Sequence, residues 1–430
     1  MSHLPTRPYK GTRDFLPEEM SVRTQIFENL FRTAELFGFR RYDGPILEPA
    51  AIYEAKSGEE IANQQMYRLQ DKGGREIALR PEMTPSVARI IAGHHNEIVF
   101  PARWYCHVNC HRYERPQRGR VREHWQLNVD ILGSEDLAAE IEIFDLIAAL
   151  LSGLGAAPSM YVIRVNDRIL VNAALANYVG VSRDNLAAVG KVIDRWEKID
   201  EEKRREALAE FGLSSSQLDR LEKLAGLDLD SYCEAAGSEA ASKSRVARVI
   251  REGLSAAPLH FDPLIMRGFD YYTSTIFEVF DRSPDNRRSL FGGGRYDDLA
   301  SLFTDRKIAG LGFGMGDVTT WNFLEHNGLL PQPNLGPDVF VFATSGEYDA
   351  AARRVVRLLR GAGIRTAPAL DNPSLKGGLR LANRLGARYT VIIGESEHAS
   401  SSVSLKNMES SDQITIPESD VVRRVQEGLI

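Results

Sequence analysis

Residues 102–133 of this 430-residue chain read ARWYCHVNCHRYERPQRGRVREHWQLNVDILG. Two runs with strand character flank the polar stretch RPQRGR, which predicts two antiparallel strands and their connection. Side chains of a strand alternate between the faces of a sheet, so the polar residues of the returning strand share one face. These residues, which we call the polar row, are His124, Gln126, Asn128 and Asp130. Such a row is atypical of a core face, so the hairpin is predicted to line a binding site.

The same hairpin is strongly basic. Between its first and last arginine it contains six arginines and a single acid, Glu114. The arginines are Arg103, Arg112, Arg115, Arg118, Arg120 and Arg122. A solvated basic loop would explain this charge, but Arg112 and Glu114 also share one strand face. Because the guanidinium fork fits phosphate oxygens, a nucleotide is the predicted ligand.

Two other segments suit a ligand. In 79–85 (LRPEMTP) the prolines flank Glu82 and Thr84, whose carboxylate and hydroxyl suit an ammonium group. A helix N-terminus at this point would also explain Thr84. In 310–316 (GLGFGMG) every second residue is glycine, which leaves one strand face bare for a flat ring or for a tightly packed neighbour.

The rest of the chain predicts two domains. Residues 1–325 are expected to form an α+β core with an antiparallel sheet and a charged, Ala- and Leu-rich helical insertion at about 167–255. The segment 326–337 contains three prolines and two glycines and is the predicted linker. In the remaining residues, 338–430, the strand segments DVFVFA, RTAPAL and YTVIIG alternate with helices, which predicts a small α/β domain with a parallel sheet.

Local signals place individual elements within these domains. Spacings of three and four residues predict a helix over 17–37. Ser134 is the predicted N-cap of an apolar helix that ends near Leu151, and strand character runs over 264–280. Residues 71–74 (DKGG) are a predicted hairpin turn.

Composition excludes several classes of protein. Apolar residues make up 43% and charged residues 26% of the chain, which is typical of a globular protein. No apolar stretch approaches the roughly 18 residues of a membrane span. The net charge of −6 excludes a globally basic nucleic-acid coat. With three cysteines and no recognisable secretory signal, a cytoplasmic location is expected.

Common motifs for phosphate and metal binding are absent from the sequence. It contains neither G-x-x-x-x-G-K-[ST] nor G-x-G-x-x-G after a strand. The run CHVNCH at 106–111 has zinc-ligand residue types. On a strand, however, Cys106 and Cys110 would lie roughly 13 Å apart with the histidines on the other face. No metal held by the protein alone is predicted.

Taken together, these motifs resemble the class II aminoacyl-tRNA synthetases and, among them, the histidyl-tRNA synthetase family. The matching segments are 10–17 (KGTRDFLP), 37–49 (FGFRRYDGPILEP), 79–84 (LRPEMT), 112–120 (RYERPQRGR), 267–272 (RGFDYY) and 293–297 (GGRYD). The tail at 374–394 is similar to that family's anticodon-binding domain. The resemblance spans residue 10 to about 406, and RGFDYY is highly specific to the family.

The resemblance implies an ATP-dependent activation of L-histidine to histidyl-adenylate, followed by transfer to tRNA(His). It implies magnesium bound with ATP, and a homodimer, since 37–49 matches the motif that builds the dimer interface in this class. Arg112 and Arg267 are the implied catalytic residues at the α-phosphate. The implied ATP-binding residues are Arg112, Glu114, Arg120 and His124. The implied histidine-binding residues are Glu82, Met83, Thr84, Arg112, Gln126, Asp130, Arg267, Tyr271, Tyr272 and Tyr296.

A cationic stripe in the tail is the predicted contact for tRNA. Lys376, Arg380 and Arg384 follow one another at four-residue spacing on one helix face, where they would meet RNA phosphates. An exposed helix face without an RNA partner is the alternative.

Three positions depart from the family pattern. Thr319 stands where the third class motif carries an arginine that contacts ATP; either Arg306 or Lys307 compensates, or ATP binds differently. His124 replaces the aromatic residue that stacks on adenine. Asp130 replaces the commoner glutamate, which is one methylene longer.

Two other functions compete with that of a ligase. A non-catalytic paralogue, such as the regulatory subunit of ATP phosphoribosyltransferase, shares the catalytic fold. That relative generally lacks the C-terminal domain and erodes the string RGFDYY, and both are present here. A histidine-activating enzyme with an acceptor other than tRNA is left open by Thr319.

Overall fold

The computed structural model describes residues 4–55, 64–117, 119–196, 199–266, 271–286 and 288–429. These residues form two compact units. The larger contains residues 4–14 and 24–331, and the smaller contains 15–23 and 332–429. Within the described ranges, none of the helices combines the length and the apolar character that a bilayer crossing needs.

The strands and helices are numbered in chain order. The strands are β1 (Arg40–Arg41), β2 (Leu47–Pro49), β3 (Tyr67–Gln70), β4 (Glu76–Leu79), β5 (Ala102–His111), β6 (Glu123–Leu132), β7 (Tyr161–Asp167), β8 (Leu259–Phe261), β9 (Thr275–Asp281), β10 (Ser289–Arg295), β11 (Gly310–Gly316), β12 (Val339–Ala343), β13 (Thr366–Pro368), β14 (Tyr389–Ile393), β15 (Ser402–Asn407) and β16 (Gln413–Pro417). The helices are α1 (Pro17–Leu36), α2 (Ala51–Glu54), α3 (Thr84–His94), α4 (Ala138–Gly153), α5 (Arg168–Ala174), α6 (Leu186–Ile193), α7 (Glu201–Glu210), α8 (Ser215–Leu224), α9 (Leu229–Ala236), α10 (Ser238–Lys243), α11 (Arg245–Arg251), α12 (Asp317–His326), α13 (Asp349–Gly361), α14 (Leu375–Arg384), α15 (Glu395–Ala399) and α16 (Val421–Leu429).

Eight strands form the main sheet of the larger unit, in the order β1-β5-β6-β11-β10-β9-β7-β8. Neighbours in this sheet are antiparallel, except that β1 is parallel to β5 and β7 to β8. The β5–β6 hairpin is paired from Ala102 opposite Leu132 to His111 opposite Glu123. The predicted strand–loop–strand and the antiparallel class of the core sheet are therefore confirmed.

The central strands of this sheet have one apolar face and one polar face. Leu127 and Val129 of β6 are fully buried. On the same side of the sheet, Phe144 of α4 packs edge-on against Phe277 of β9, with ring centroids 5.3 Å apart. The polar row alternates with Leu127 and Val129, so it lies on the opposite face. Packing of α4 on one face thus leaves the other face to the ligands.

Helices α5–α11 form the predicted helical insertion between β7 and β8 and have an apolar cluster of their own. The carboxylate of Asp167 accepts hydrogen bonds from the Ile169 amide (3.0 Å) at the start of the insertion and from the Ser244 hydroxyl (2.9 Å) near its end. One buried side chain therefore joins the entry and the exit of the insertion.

Two predicted elements begin later than expected. Ser134 is not an N-cap, because α4 begins only at Ala138, whose amide donates to the carboxylate of Asp136 (2.8 Å) in a turn ahead of the helix. The strand predicted over 264–280 begins at Thr275. Part of that prediction, residues 267–270, lies outside the described residues.

The smaller unit contains a five-stranded sheet in the order β13-β12-β14-β15-β16. Strand β12 is parallel to both β13 and β14, whereas β14–β15 and β15–β16 are antiparallel pairs. The three predicted strands, 338–343, 365–370 and 389–394, are therefore parallel as expected, whereas β15 and β16 were not predicted. They are joined by a short connection, and short connections produce antiparallel neighbours.

Candidate active site

A cavity opens on the polar-row face of β6, β10 and β11 in the larger unit. Most residues that the sequence predicts for the site lie in its wall. They are Glu82, Thr84, Arg112, Glu114, Arg120, His124, Gln126, Tyr271, Tyr272 and Tyr296. The fold thus brings side chains from distant parts of the chain to one surface.

Two predicted site residues, Met83 and Asp130, are not part of this wall, and the position of a third is not described. Met83 is fully buried behind it, in an apolar cluster with Cys106 and Val108. Asp130 is buried behind the wall, where its carboxylate accepts a hydrogen bond from the hydroxyl of Tyr296. Arg267 lies outside the described residues, as does Arg118 of the hairpin connection.

The segment 79–84 is held at the cavity by a buried arginine. Arg80 donates to the backbone carbonyls of Asn109 (2.8 Å) and Gly44 (2.9 Å). Arg112 in turn donates from Nε to the carbonyl of Pro81 at 2.9 Å. The guanidinium group of Arg112 is therefore fixed to the segment that carries Glu82.

Two oxygen-bearing side chains of this segment lie in the wall. Glu82 is buried and accepts a hydrogen bond from the Tyr271 hydroxyl at 2.9 Å. Thr84 is the first residue of α3, Met83 occupies the N-cap position, and no side chain caps the helix. Thr84 is therefore not an N-cap, and the wall presents a carboxylate and a hydroxyl, both of which accept hydrogen bonds from an ammonium group.

The alternate glycines of β11 make room for the polar row. Gly312 pairs with Asp130 and Gly314 with Asn128. A Cβ atom at Gly312 would overlap the carboxylate of Asp130, and one at Gly314 would overlap the amide of Gln126. Both interpretations of the glycine pattern hold in part, since the glycine backbone lines the cavity and neighbouring side chains fill the space above it.

Asp130 and Tyr296 form a buried pair at the end of the polar row. The hydroxyl of Tyr296 donates a hydrogen bond to the carboxylate of Asp130. Burial raises the pKa of Asp130 to about 7, although the hydrogen bond from Tyr296 acts in the opposite direction. The carboxyl group therefore changes protonation near neutral pH, where it switches between donor and acceptor.

Other wall residues suit a nucleotide. Oε2 of Glu114 is buried and forms no hydrogen bond with any described residue, and Nε of Arg120 lies 3.7 Å from it. Burial, assisted by the neighbouring charge of Arg112, lowers the pKa of His124 to about 3, so the His124 ring is neutral. A buried acceptor and a neutral flat ring suit a base that carries an amino group.

Several wall residues were not assigned to a ligand from the sequence. Asn128 is 5% exposed, and its Nδ2 has no hydrogen-bond partner among the described residues. Its place in the polar row was the signal that could have identified it. Leu290, Asp317 and Thr319 also line the cavity. No local pattern marks Asp317, which begins α12.

The loop before β11 does not supply the cation that Thr319 lacks. Neither Arg306 nor Lys307 belongs to the cavity lining. Lys307 forms an exposed ion pair with Glu135 at 3.0 Å. Neither side chain therefore takes the place of the missing arginine in the described wall, and the alternative that ATP binds differently stays a prediction.

The described ranges contain no group of three or more His, Cys, Asp or Glu side chains that could hold a metal ion. Cys106 and Cys110 are buried free thiols, and burial raises the pKa of both. They are poor candidates for reactive or ligating thiolates.

A second candidate site lies on α14 of the smaller unit. Lys376, Arg380 and Arg384 are exposed, and in the described part of the chain none of them forms an ion pair. Arg388 behaves differently, because its guanidinium group donates to the carbonyl of Gly428 at 2.6 Å. The three side chains on α14 thus remain available to an anionic partner.

Comparisons with known proteins cover both units. The family model described as histidyl-tRNA synthetase matches residues 11–317, and the model described as anticodon binding domain matches 338–428. The histidine–tRNA ligase of Leptospira biflexa is 38% identical over 431 residues, which cover 99% of this chain and 98% of that protein. That of Pyrococcus abyssi is 36% identical over 431 residues and covers 98% of each chain.

A solved structure shows the same fold. The crystal structure of histidyl-tRNA synthetase from Nostoc sp. PCC 7120 has a TM-score of 0.81 at 23% sequence identity, covering 99% of this chain and 100% of that chain. The family model covers more than half of the sequence, and the relatives match almost end to end. The chain therefore belongs to the histidyl-tRNA synthetase family.

Proposed function

We propose that this chain activates L-histidine with ATP and transfers the histidyl group to tRNA(His). One observation carries the proposal. A single cavity combines groups suited to histidine, at Glu82, Tyr271 and Tyr296, with groups suited to a nucleotide, at Glu114 and His124. A shared cavity holds the two reacting groups together, which converts a bimolecular encounter into a reaction within one complex.

In the first step, a carboxylate oxygen of histidine attacks the α-phosphorus of ATP. The bond from that phosphorus to the pyrophosphate oxygen breaks, and histidyl-adenylate forms. Negative charge grows on the phosphate oxygens during the attack, and the fixed guanidinium of Arg112 stabilises this charge. Arg267 is proposed to act on the same phosphate.

The residues assigned to histidine bind both its α-ammonium group and its imidazole ring. Glu82 and Thr84 accept from the α-ammonium group, with Gln126 beside them in the wall. The imidazole lies against Tyr272 and Tyr296, where its N–H donates to the Tyr296 oxygen and, through it, is linked to Asp130. A competing side chain without this pattern leaves buried polar groups unpaired, and such groups reject it strongly.

The nucleotide groups bind ATP through its base and its phosphates. Glu114 accepts from the adenine amino group, because its buried Oε2 lacks a hydrogen bond with any described residue. The neutral ring of His124 stacks on the base. Arg120 holds the outer phosphates with its charged fork.

Magnesium is proposed to arrive bound to ATP. The described part of the chain contains no three-ligand metal site. Mg²⁺ on a nucleotide keeps mainly phosphate oxygens and water as ligands, so one or two protein carboxylates suffice. When bound, it neutralises charge on the outer phosphates.

The smaller unit is proposed to bind the anticodon arm. We propose residues 1–325 as the catalytic domain, with its insertion at about 167–255, residues 326–337 as the linker and residues 338–430 as the anticodon-binding domain.

In the second step, a ribose hydroxyl at the 3′ end of tRNA attacks the histidyl carbonyl carbon, and AMP leaves.

A homodimer in the cytoplasm is the proposed working state. Exposed apolar side chains lie in or beside the segment that resembles the class II dimerisation motif, among them Leu36, Ile46 and Leu47. Burying such side chains against a second copy stabilises association. Sedimentation of the full chain at micromolar concentration tests this state, and a monomer there contradicts it.

Two assays on the purified chain test the proposed function. Histidine-dependent ATP–pyrophosphate exchange reports the first step, and charging of tRNA(His) with labelled histidine reports the second. Exchange without charging would favour an acceptor other than tRNA. Absence of both activities would favour a non-catalytic regulatory subunit.

The pH dependence of histidine use is expected to reflect Asp130. The ionised carboxylate is the better acceptor for the Tyr296–imidazole chain, and the pKa of Asp130 is about 7. The value of kcat/KM for histidine should therefore rise between pH 6 and pH 8. In Asp130→Asn only the titration of free histidine remains, so the rise should be smaller. Superimposable profiles for the two proteins would contradict the role of Asp130.

The cationic stripe on α14 is expected to act on tRNA and not on the first step. Replacing Lys376, Arg380 and Arg384 together by alanine removes three cations that neutralise RNA phosphates. The KM for tRNA should rise by about tenfold, with a weaker dependence on salt. Pyrophosphate exchange by this variant should match that of the unmodified chain, and an unchanged KM for tRNA would remove the stripe from the interface.

A further inference from the structure

Residues 9–13, which we call the N-terminal strap, are tied to the β5–β6 hairpin. The Arg122 amide donates to the carbonyl of Gly11 at 2.7 Å, and its guanidinium donates to the Tyr9 hydroxyl at 2.7 Å. Gly11 has a φ of +88°, and a Cβ there would overlap the side chain of Arg122. Arg122 also donates to the carbonyl of Glu114 at 3.1 Å. The strap is therefore anchored beside the proposed adenine site.

The last residue of the strap, Arg13, reaches the wall of the cavity through an ion pair. Nη2 of Arg13 lies 2.8 Å from Oδ2 of Asp317, and the two side chains are 27% and 3% exposed. The other carboxylate oxygen of Asp317 accepts from the amide of Trp125 at 3.0 Å. Trp125 adjoins His124, so Arg13, Asp317 and the proposed stacking ring form one connected group.

The charges of the wall show why this ion pair matters. The described lining residues include three carboxylates, Glu82, Glu114 and Asp317, but only two guanidinium groups, Arg112 and Arg120. The ring of His124 is neutral, as its low pKa indicates. Each carboxylate of such a wall repels a polyphosphate unless a cation neutralises it, and this repulsion is strong where water is scarce.

We infer that Arg13 is a positioning residue of the ATP site, which neutralises Asp317 and holds it against the edge of β6. The inference rests on the proposed function. Thr319 brings no charge to the wall, and its hydroxyl is used by the carbonyl of Leu290. The carboxylate at the start of α12 is thus paired with a cation 304 positions away in sequence. Arg13 acts through Asp317 and makes no proposed contact with the reacting atoms.

The test is the response of the two Michaelis constants of pyrophosphate exchange to Arg13→Ala. The KM for ATP should rise by about tenfold or more, because the buried carboxylate of Asp317 loses its ion pair with Arg13 while it lines the wall. The KM for histidine should change by less than about twofold, since Asp317 is assigned to the ATP site and not to the residues proposed to bind histidine. Arg13→Lys should recover most of the loss. Arg7→Ala, which removes an exposed arginine just before the strap, is the matched control.

A double variant separates neutralisation from other roles. Asp317→Asn keeps the acceptor for the Trp125 amide but removes the charge, so adding it to Arg13→Ala should restore the KM for ATP to within about threefold of the unmodified chain. No restoration, or an equal rise in both Michaelis constants, would overturn the inference. Exchange by the unmodified chain is measured alongside, and its absence would refute the proposed function instead.

Discussion

Replacement of Arg112 by alanine is expected to lower kcat for histidine-dependent pyrophosphate exchange by about 10³-fold. Loss of one preorganised donor to a developing oxyanion commonly costs 10²–10³-fold, and here a full positive charge is also lost. The effect should appear in kcat, because the stabilised charge develops mainly in the transition state. The rate of pyrophosphate exchange at saturating ATP and histidine measures kcat for each protein.

The control for this prediction is another arginine of the same hairpin. Arg103 of β5 lies outside the cavity lining and pairs with Glu142 at 3.5 Å. Arg103→Ala should retain normal exchange. Arg112→Lys keeps a charge but loses the Nε hydrogen bond to Pro81, so it should fall between the two alanine variants. Equal activity in the alanine variants of Arg112 and Arg103 would exclude Arg112 from the chemistry.

The second large effect is expected on stability, at the buried pair of Glu140 and Arg295. Glu140 accepts from Nε and Nη2 of Arg295 at 2.7 and 2.8 Å, and from the Thr275 hydroxyl at 3.1 Å. Both charged side chains are 0% exposed. Glu140→Ala removes two hydrogen bonds of the buried guanidinium and leaves it, among the described ion pairs, only the one with Asp297 (3.1 Å), which lowers the free energy of unfolding by about 3–5 kcal/mol. Urea denaturation followed by circular dichroism measures the change.

An exposed ion pair of the same unit provides the control. Lys307 and Glu135 are 3.0 Å apart, and each side chain is 63% exposed. Lys307→Ala should leave the denaturation midpoint unchanged, since solvent screens such pairs. Because Lys307 is outside the cavity lining, the KM for ATP should also be unchanged. If Glu140→Ala had the same midpoint as Lys307→Ala, the buried pair would not hold this region together.

The sequence predicts the central hairpin well because two independent signals coincide there. Alternating side chains mark both strands, and the polar row marks one face. The turn at 71–74 is also confirmed, since the amide of Gly74 donates to the carbonyl of Asp71 at 2.9 Å and Gly74 has a φ of +78°. A turn position that needs a positive φ favours glycine, so the residue type alone indicates the turn.

Other elements were predicted less well, because their ends and neighbours are set by interactions that a local sequence pattern does not show. Ser134 carries the side chain of an N-cap, but the carboxylate of Asp136 bonds the Ala138 amide and delays the helix. Strands β15 and β16 were not predicted, because they are only six and five residues long and so short an alternating segment is a weak local signal.

The candidate site shows the same limit. Strand parity identifies Gln126 and Asp130, and it equally marks Asn128. It does not show that the Tyr296 hydroxyl meets Asp130, because those two residues are 166 positions apart. The pair of Arg13 and Asp317 is even more distant in sequence and involves no recognisable motif at Asp317. Long-range ion pairs of this kind follow from the fold and are invisible beforehand.

A crystal structure of the full chain with a non-hydrolysable histidyl-adenylate analogue tests the central claim most directly. The proposed function predicts that the phosphate group of the analogue contacts the guanidinium groups of Arg112 and Arg267. Its adenine should lie on His124 and its imidazole at Tyr296. An analogue bound outside this cavity, or a phosphate beyond the reach of both arginines, would contradict the proposed mechanism.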